Sequence, residues 1–181
     1  AVKQELKQQL KKQSLPNLIL KDSLIDFSKT YDYSNDWSFV NDNSGNLTHD
    51  PEHVVRTNTE VGFLTYKVNN LKSFEVDLWG IRTETPDSFG KIRAFVAGAD
   101  EIFSEITVDY TNESPYGWRG LFVFKPTQSI PADTKYIRFE LSSLDGVPAW
   151  KALIGTIWLY DDGSTHSFHS FVDELDVSIE P

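Results

Sequence analysis

The sequence predicts an all-β domain, an antiparallel two-sheet β-sandwich of the jelly-roll type. Three observations support this fold class. Aromatic residues, which favour strands, make up 13% of the 181 residues. From residue 17 onward, apolar and polar residues alternate with the period of a half-buried strand. The segments between these runs are short and contain Gly, Pro, Asn and Asp, and no internal segment has a convincing helical period.

Residues 1–16 differ in composition from the rest of the chain. They are rich in Lys and Gln, and Val2, Leu6 and Leu10 form a thin apolar stripe at helical spacing. Pro16 ends this pattern, because a proline disfavours helical geometry in the residue before it. We therefore expect residues 1–16 to form a linker or a short helix, and residues 17–181 to form the sandwich.

Nine segments have strand-like patterns and are expected to supply the two sheets. In chain order they are 17–27, 62–68, 73–81, 91–98, 101–108, 120–126, 135–143, 152–162 and 171–180. Ala99-Asp100 separates the fourth from the fifth and fits a hairpin turn. The segment 28–60 has few regular strand signals and is too long for a plain connection, so we expect it to carry function or short irregular strands.

Composition limits the kinds of partner and site. The chain contains no Cys, which excludes disulfides and thiolate metal sites. Its formal net charge is −10, so a polyanion such as DNA would be repelled at long range. This charge argues only mildly against an acidic polysaccharide, because a few local arginines can outweigh it. No run approaches the roughly 18 apolar residues of a membrane span. We expect no nucleic-acid or membrane partner. Because chains without Cys are common among exported bacterial proteins, and because the chain has no Met, we also expect a monomeric module of a longer, secreted bacterial protein.

No familiar catalytic motif is present. There is neither a Cys nucleophile nor a G-x-S-x-G elbow, and the four histidines fall in loop-like contexts. Glu75 and Asp77 lie two residues apart on one strand, which places their side chains about 6–7 Å apart, as in some glycosidases. Any solvated strand face has the same pattern. We therefore expect a non-catalytic chain, and a small lyase or glycosidase remains an alternative.

The stretch SFEVDLWGI, residues 73–81, places a tryptophan among carboxylates. Strand alternation sets Trp79 beside Glu75 and Asp77, on the face opposite the apolar residues. A flat indole can cover the C–H face of a sugar ring while carboxylates and a guanidinium such as that of Arg82 bond its hydroxyl rim. We expect these four residues to form an exposed carbohydrate-binding surface.

Further aromatic residues lie in or beside predicted loops. Trp37, Tyr116, Trp118 and Trp150 belong to this group. Such residues either plug the ends of a sandwich or bind a ligand at the loop tips. We include Trp37, Tyr116 and Trp118 in the expected carbohydrate-binding set, and both the sheet face and the loop tips remain possible locations for the ligand.

One structural calcium ion is expected where the first and last strands meet. Oxygen ligands for calcium need no local sequence motif. Asp22 and Asp26 lie in the first predicted strand, and Asp173 lies in the last. These three carboxylates are the expected ligands.

Several stretches resemble the accessory β-sandwich modules of secreted bacterial polysaccharide-degrading enzymes. Among them are VVRTNTEVGFLTYKVNNLKSFEVDLWG and GWRGLFVFKPTQSIPADTKYIRFEL, and the resemblance covers residues 18–178. It implies a non-catalytic carbohydrate-binding module of the discoidin-like or jelly-roll kind that targets a tethered catalytic domain to its substrate. It also favours a structural role for Trp118 and Trp150, and it leaves the glycan open. A structural or adhesive sandwich without glycan binding is the alternative.

Overall fold

The computed structural model describes residues 2–5, 18–41, 52–57, 60–113, 117–142 and 144–162. Within these ranges the chain forms twelve β-strands, a one-turn α-helix at Pro86–Phe89 and a short 3-10 helix at Ala149–Lys151, and residues 2–5 are also helical. The strands are β1 Leu18–Asp22, β2 Asp32–Tyr33, β3 Trp37–Asn41, β4 Glu52–Arg56, β5 Gly62–Lys67, β6 Ser73–Ile81, β7 Ile92–Ala97, β8 Ser104–Ile106, β9 Val108–Asn112, β10 Arg119–Pro126, β11 Tyr136–Leu141 and β12 Leu153–Tyr160.

The strands form two antiparallel sheets, which confirms the predicted sandwich. The seven-stranded sheet has the order β3-β4-β12-β6-β10-β9, and β1 joins it by pairing with the second half of β12. The five-stranded sheet has the order β2-β5-β11-β7-β8. Consecutive strands often lie in different sheets. The strand orders β4-β12-β6-β10 in one sheet and β5-β11-β7-β8 in the other are those of a jelly roll.

The main core lies between the two sheets. Phe74, Val76 and Leu78 of β6 point into it, and the ring of Phe74 meets that of Phe139 of β11 edge to face, with centroids 5.0 Å apart. Each large apolar side chain buried in this way stabilises the fold by about 1.5–3 kcal/mol. The inter-sheet core is therefore the main source of stability.

A second apolar cluster lies on the opposite, outer face of the seven-stranded sheet. Its buried members are Val55, Trp79, Leu121, Val123 and Leu153. Trp79 lies at the centre of this cluster, because it pairs with Leu121 of β10 on one side and with Leu153 of β12 on the other. Strands β6, β10 and β12 are thus buried on both faces, which explains continuous apolar runs such as LFVF in β10.

Most of the predicted segments correspond to strands. The segment 73–81 coincides with β6, and β7 and β8 form the hairpin predicted around Ala99-Asp100. The segment 28–60 supplies the short strands β2, β3 and β4. Strand β9 was not predicted. Residues 2–5 are helical, while the strand predicted at 171–180 lies outside the described residues. Within the described ranges, no helix is long and apolar enough to cross a membrane.

Candidate functional site at one end of the sandwich

The two ends of the seven-stranded sheet differ in what they carry. Strand β6 runs from Ser73, which pairs with Tyr160, to Ile81, which pairs with Arg119. At the usual rise per residue, β6 spans roughly 27 Å. At the first end Leu18, where β1 begins, pairs with Tyr160, where β12 ends. The second end, where β6 stops and β10 and β12 start, carries exposed aromatic residues.

Two tryptophans meet at this second end. Trp118 immediately precedes β10, and Trp150 lies in the 3-10 helix just before β12. Their ring centroids are 5.8 Å apart and their planes are inclined at 77°. The residues are 46% and 49% exposed. We call these two residues the tryptophan corner, because their rings form two nearly perpendicular walls that are open to solvent.

A buried arginine supports the tryptophan corner. Arg119 is only 1% exposed, and its guanidinium carbon lies 4.8 Å from the ring centre of Trp118 and 5.8 Å from that of Trp150. Its Nη2 donates a hydrogen bond of 3.1 Å to the backbone oxygen of Trp150. A cation close to an aromatic ring is attracted to it. Arg119 therefore holds both rings in place without a ligand.

Polar groups border the tryptophan corner. The backbone N–H of the exposed Arg82 donates to the carbonyl oxygen of Trp118 at 3.1 Å, and the side chain of Asn112 donates to the carbonyl oxygen of Arg82 at 3.3 Å. Next to Trp150 in sequence, Lys151 forms a 3.3 Å ion pair with Glu84. Hydrogen-bonding groups of both charge signs thus lie beside the two rings.

The close approach of β10 to the Arg82 turn requires a glycine at position 120. A Cβ atom at Gly120 would lie 2.8 Å from Cα and 2.9 Å from N of Arg82. Both of these are backbone atoms, so the turn itself would have to move. We expect Gly120→Ala to lower the free energy of unfolding by about 1–3 kcal/mol in chemical denaturation.

The matched control for this substitution is Gly98→Ala. A Cβ at Gly98 would come no closer than 3.6 Å to its neighbours, which is ordinary contact. We expect the control to change the free energy of unfolding by less than about 0.5 kcal/mol. Equal effects of the two variants would contradict the close packing of β10 against the Arg82 turn.

The prediction of an exposed indole at Trp79 is wrong. Trp79 is 0% exposed, Glu75 1% and Asp77 6%. Strand alternation did separate these residues from the inter-sheet core, but the outer face of this sheet is itself buried. The Nζ atom of Lys125 lies 3.8 Å from Oε1 of Glu75. In this structure Trp79 has no free ring face for a sugar, and Glu75 and Asp77 do not border an open surface.

Burial on this outer face of the seven-stranded sheet also changes the pKa of a tyrosine. Tyr160 is 0% exposed, and burial raises the pKa of its phenol. The charges of Glu75 and Asp77 add to this effect. The face therefore combines acidic side chains with a protonated phenol inside the protein, which is unlike the solvated strand face that the sequence pattern suggested.

Trp37 lies at the same end of the sheet as the tryptophan corner, but its ring has other partners. It pairs with Arg56 across β3 and β4, and the Arg56 guanidinium lies 4.8 Å from its ring centre. Its Nε1 donates a 3.1 Å hydrogen bond to Ser34. The ring is partly buried and packs against the inter-sheet core. The structure thus gives Trp37 packing contacts, and the predicted Tyr116 lies outside the described residues.

Of the residues predicted to bind carbohydrate, the structure brings Trp118 and Arg82 together. The partner that completes the corner, Trp150, is one of the predicted loop tryptophans, but the predicted site does not include it. No local pattern reveals this partner, because 31 residues separate Trp150 from Arg119, the residue that bonds to it. The only sequence signal for the corner is that both tryptophans lie next to the start of an apolar strand.

The carboxylate of Asp22 is engaged in hydrogen bonds inside the protein. The residue is 2% exposed. Its Oδ1 accepts a 2.9 Å bond from the N–H of Leu24, and its Oδ2 accepts a 2.8 Å bond from the hydroxyl of Tyr66. Both oxygens of this expected calcium ligand therefore already have protein donors.

Asp26, the second expected calcium ligand, also has hydrogen-bond donors of its own. Asp26 is exposed, and its Oδ1 accepts hydrogen bonds from the hydroxyl and N–H of Ser28, which lower the pKa of Asp26. Asp173 lies outside the described residues. In the part of the chain that the structure describes, no three His, Cys, Asp or Glu side chains are grouped so that they could hold a metal ion. The calcium ion stays a prediction.

Chemically, the tryptophan corner offers two apolar ring faces at nearly right angles with a charged border. Such a surface suits a flat ligand that has an apolar face and a polar rim. Comparison of the sequence with protein-family models and with curated proteins found no match. The function is therefore inferred from the geometry of the site.

Proposed function

We propose that this chain is a non-catalytic carbohydrate-binding module that holds a tethered catalytic domain on its polysaccharide substrate. The tryptophan corner is the observation that carries the proposal. Trp118 and Trp150 keep about half of their surface exposed although they touch each other. The two exposed rings lie side by side and are held by the buried Arg119. Such an arrangement is typical of a binding surface.

The corner fits the shape of a sugar chain. One indole covers the C–H face of a pyranose ring, while the perpendicular indole contacts the edge of that ring or the face of the next sugar. We expect the neighbouring side chains of Arg82, Glu84 and Lys151 to hydrogen-bond the hydroxyl rim. Because sugars are strongly hydrated, we expect dissociation constants on the order of 10–1000 μM. Linking several modules or a catalytic domain raises the overall avidity.

The position of the corner supports a module in a multidomain protein. It lies at the opposite end of the seven-stranded sheet from the Leu18–Tyr160 pair, where the first and last described strands meet. A ligand at the corner is therefore far from Leu18 and Tyr160, the residues at which β1 begins and β12 ends. Secretion from a bacterium and a monomeric state form part of this proposal.

A structural or adhesive sandwich is the second candidate function. Phe27 contacts both Tyr33 and Phe39, with ring centroids 4.4 and 4.7 Å apart. Tyr33 and Phe39 are 46% and 47% exposed. This aromatic cluster lies at β2 and β3, which are edge strands of the two sheets. An exposed aromatic cluster of this kind favours a contact with another protein. We do not propose hydrolase or lyase chemistry at Glu75 and Asp77, because both are nearly fully buried.

Affinity gel electrophoresis on a panel of neutral and acidic polysaccharides tests the proposed function. We expect at least one polysaccharide to retard the wild-type protein, with and without calcium. Trp118→Ala and Trp150→Ala should each weaken the interaction about tenfold or more, which corresponds to about 1.4 kcal/mol of lost contact. Circular dichroism verifies that each variant is folded.

Tyr33→Ala is the control for this experiment. It also removes a half-exposed aromatic side chain, but it does so at the β2–β3 side of the molecule. We expect its retardation to equal that of the wild type. Retardation that survives both tryptophan substitutions and disappears in Tyr33→Ala would place the glycan at the aromatic cluster. No retardation by any polysaccharide would favour the adhesive sandwich.

A further inference from the structure

The outer face of the five-stranded sheet carries an arginine at its centre. Strand β11 is the middle strand, and Arg138 pairs with Thr65 of β5 on one side and with Phe95 of β7 on the other. Its neighbours Ile137 and Phe139 point into the inter-sheet core. By strand alternation, Arg138 therefore points to the opposite face, where it is partly exposed.

Aromatic rings hold the guanidinium of Arg138. Its Cζ atom lies 4.2 Å from the ring centre of Phe63 and 4.0 Å from that of Phe103. These contacts fix the cation but consume none of its N–H donors. Its Nε donates one hydrogen bond of 2.9 Å to Oγ1 of Thr65. Among the described residues, its two Nη atoms have no hydrogen-bond acceptor and no ion-pair partner.

The acidic side chains of this face do not neutralise Arg138 directly. Glu105 is engaged by Arg93 through two hydrogen bonds of 2.6 and 2.7 Å. Glu140 follows two residues after Arg138 on the same strand, and burial raises the pKa of this carboxyl group despite the nearby charges of Arg93 and Arg138. No carboxylate among the described residues lies within ion-pair distance of Arg138.

We propose that this face is a second binding site, and that it takes a carboxylate-bearing sugar, a uronic acid unit of a polysaccharide. The Nη atoms of Arg138 donate to the two carboxylate oxygens, because the planar guanidinium fork matches a carboxylate in geometry and charge. The partly exposed rings of Phe63, Phe95 and Phe103 contact the C–H groups of the sugar. The inference rests on the proposed function only in taking the ligand to be a glycan.

The test compares one polymer in two forms, polygalacturonate and the same polymer with its carboxyl groups reduced to alcohols. We expect the wild-type protein to bind polygalacturonate at least about tenfold more tightly than the reduced polymer. Arg138→Met should lose this preference, because methionine keeps an unbranched apolar chain beside the rings but has no charge. Arg138→Lys should lose most of it, because an ammonium lacks the planar fork.

Lys67→Met is the matched control. Lys67 is exposed on the neighbouring strand β5 and points to the same face, so the variant removes one positive charge through the same replacement. We expect it to keep the preference for polygalacturonate. Equal loss in Lys67→Met and Arg138→Met would overturn the specific role of Arg138, and so would a preference that persists in Arg138→Met.

A separate measurement distinguishes failure of this inference from failure of the proposed function. Galacturonate and galactose are titrated into isotope-labelled wild-type protein and Trp118→Ala, and the NMR signals of Arg138 are followed. We expect galacturonate alone to shift these signals, equally in both proteins. Such shifts would support the site even if no polysaccharide bound at the tryptophan corner. Unchanged signals of Arg138 with galacturonate would overturn it.

Discussion

Replacing Trp79 with alanine is expected to lower the free energy of unfolding by about 3–5 kcal/mol. The indole is 0% exposed and lies in the outer cluster between Leu121 and Leu153. Truncation removes its apolar contacts and leaves a cavity that the flanking strands cannot close, because both are hydrogen-bonded to β6. Chemical denaturation followed by circular dichroism measures the change.

The same substitution at the tryptophan corner provides the comparison. Trp118→Ala deletes an identical side chain, but one that is 46% exposed. We expect its cost to stay below about 1 kcal/mol, since exposed substitutions have small effects on stability. Trp79→Ala thus changes stability and Trp118→Ala changes binding. A cost below 1 kcal/mol for Trp79→Ala as well would mean that Trp79 is accessible, and would return it to the candidate binding residues.

Asp22→Ala is the second substitution with a large expected effect. It removes the acceptor of two hydrogen bonds, from the Leu24 N–H and the Tyr66 hydroxyl. A hydrogen bond to a charged group contributes roughly 1.5–3 kcal/mol, and both donors would be left buried without it. Leu24 also has φ of 57°, a left-handed conformation that is unusual for leucine and that the Asp22 bond helps to hold.

The pH dependence of this contact follows from Tyr66. Burial raises the pKa of its phenol well above 10.0, and the charge of Asp22 adds to the rise. A group with a raised pKa contributes its full stability below the unfolded value and loses it as the pH rises through the folded value. We therefore expect the cost of Asp22→Ala to be constant from neutral pH to about 10, and to shrink only as the pH rises through the raised pKa of Tyr66 in the folded protein.

Repeating the Asp22→Ala measurement in calcium and in a chelator separates a hydrogen-bond acceptor from a metal ligand. We expect the same loss of stability in both, because the two oxygens of Asp22 already accept hydrogen bonds from protein groups. A loss that appears only in calcium would identify Asp22 as a ligand and would contradict its role as a purely structural acceptor.

The sequence pattern predicted the sandwich because strand periodicity is local. In SFEVDLWGI, alternation alone separates Phe74, Val76 and Leu78 from Glu75, Asp77 and Trp79, and the structure keeps this division. Alternation does not show whether other residues cover the outer face of the sheet. That information was present in other strands, because β10 and β12 are apolar at consecutive positions and so require burial on both faces.

The candidate site was predicted only in part, because it is assembled from distant segments. Trp118 and Arg82 were expected to bind ligand, but nothing in the sequence places them together. Their contact depends on the pairing of Arg119 with Ile81, and Trp150 joins through β12. The aromatic contacts of Arg138 likewise join β11 to two separate segments, so no local motif indicates this surface.

The antiparallel pairing of Leu18 with Tyr160 has a mechanical consequence. A force applied between these two residues pulls neighbouring ends of β1 and β12 apart, along the direction of the hydrogen bonds that join them. These bonds then break one after another, as in a zipper, rather than together in shear. Tension on the described fold would peel β1 away first, while the tryptophan corner, at the far end of the sheet, would stay intact until late in the rupture.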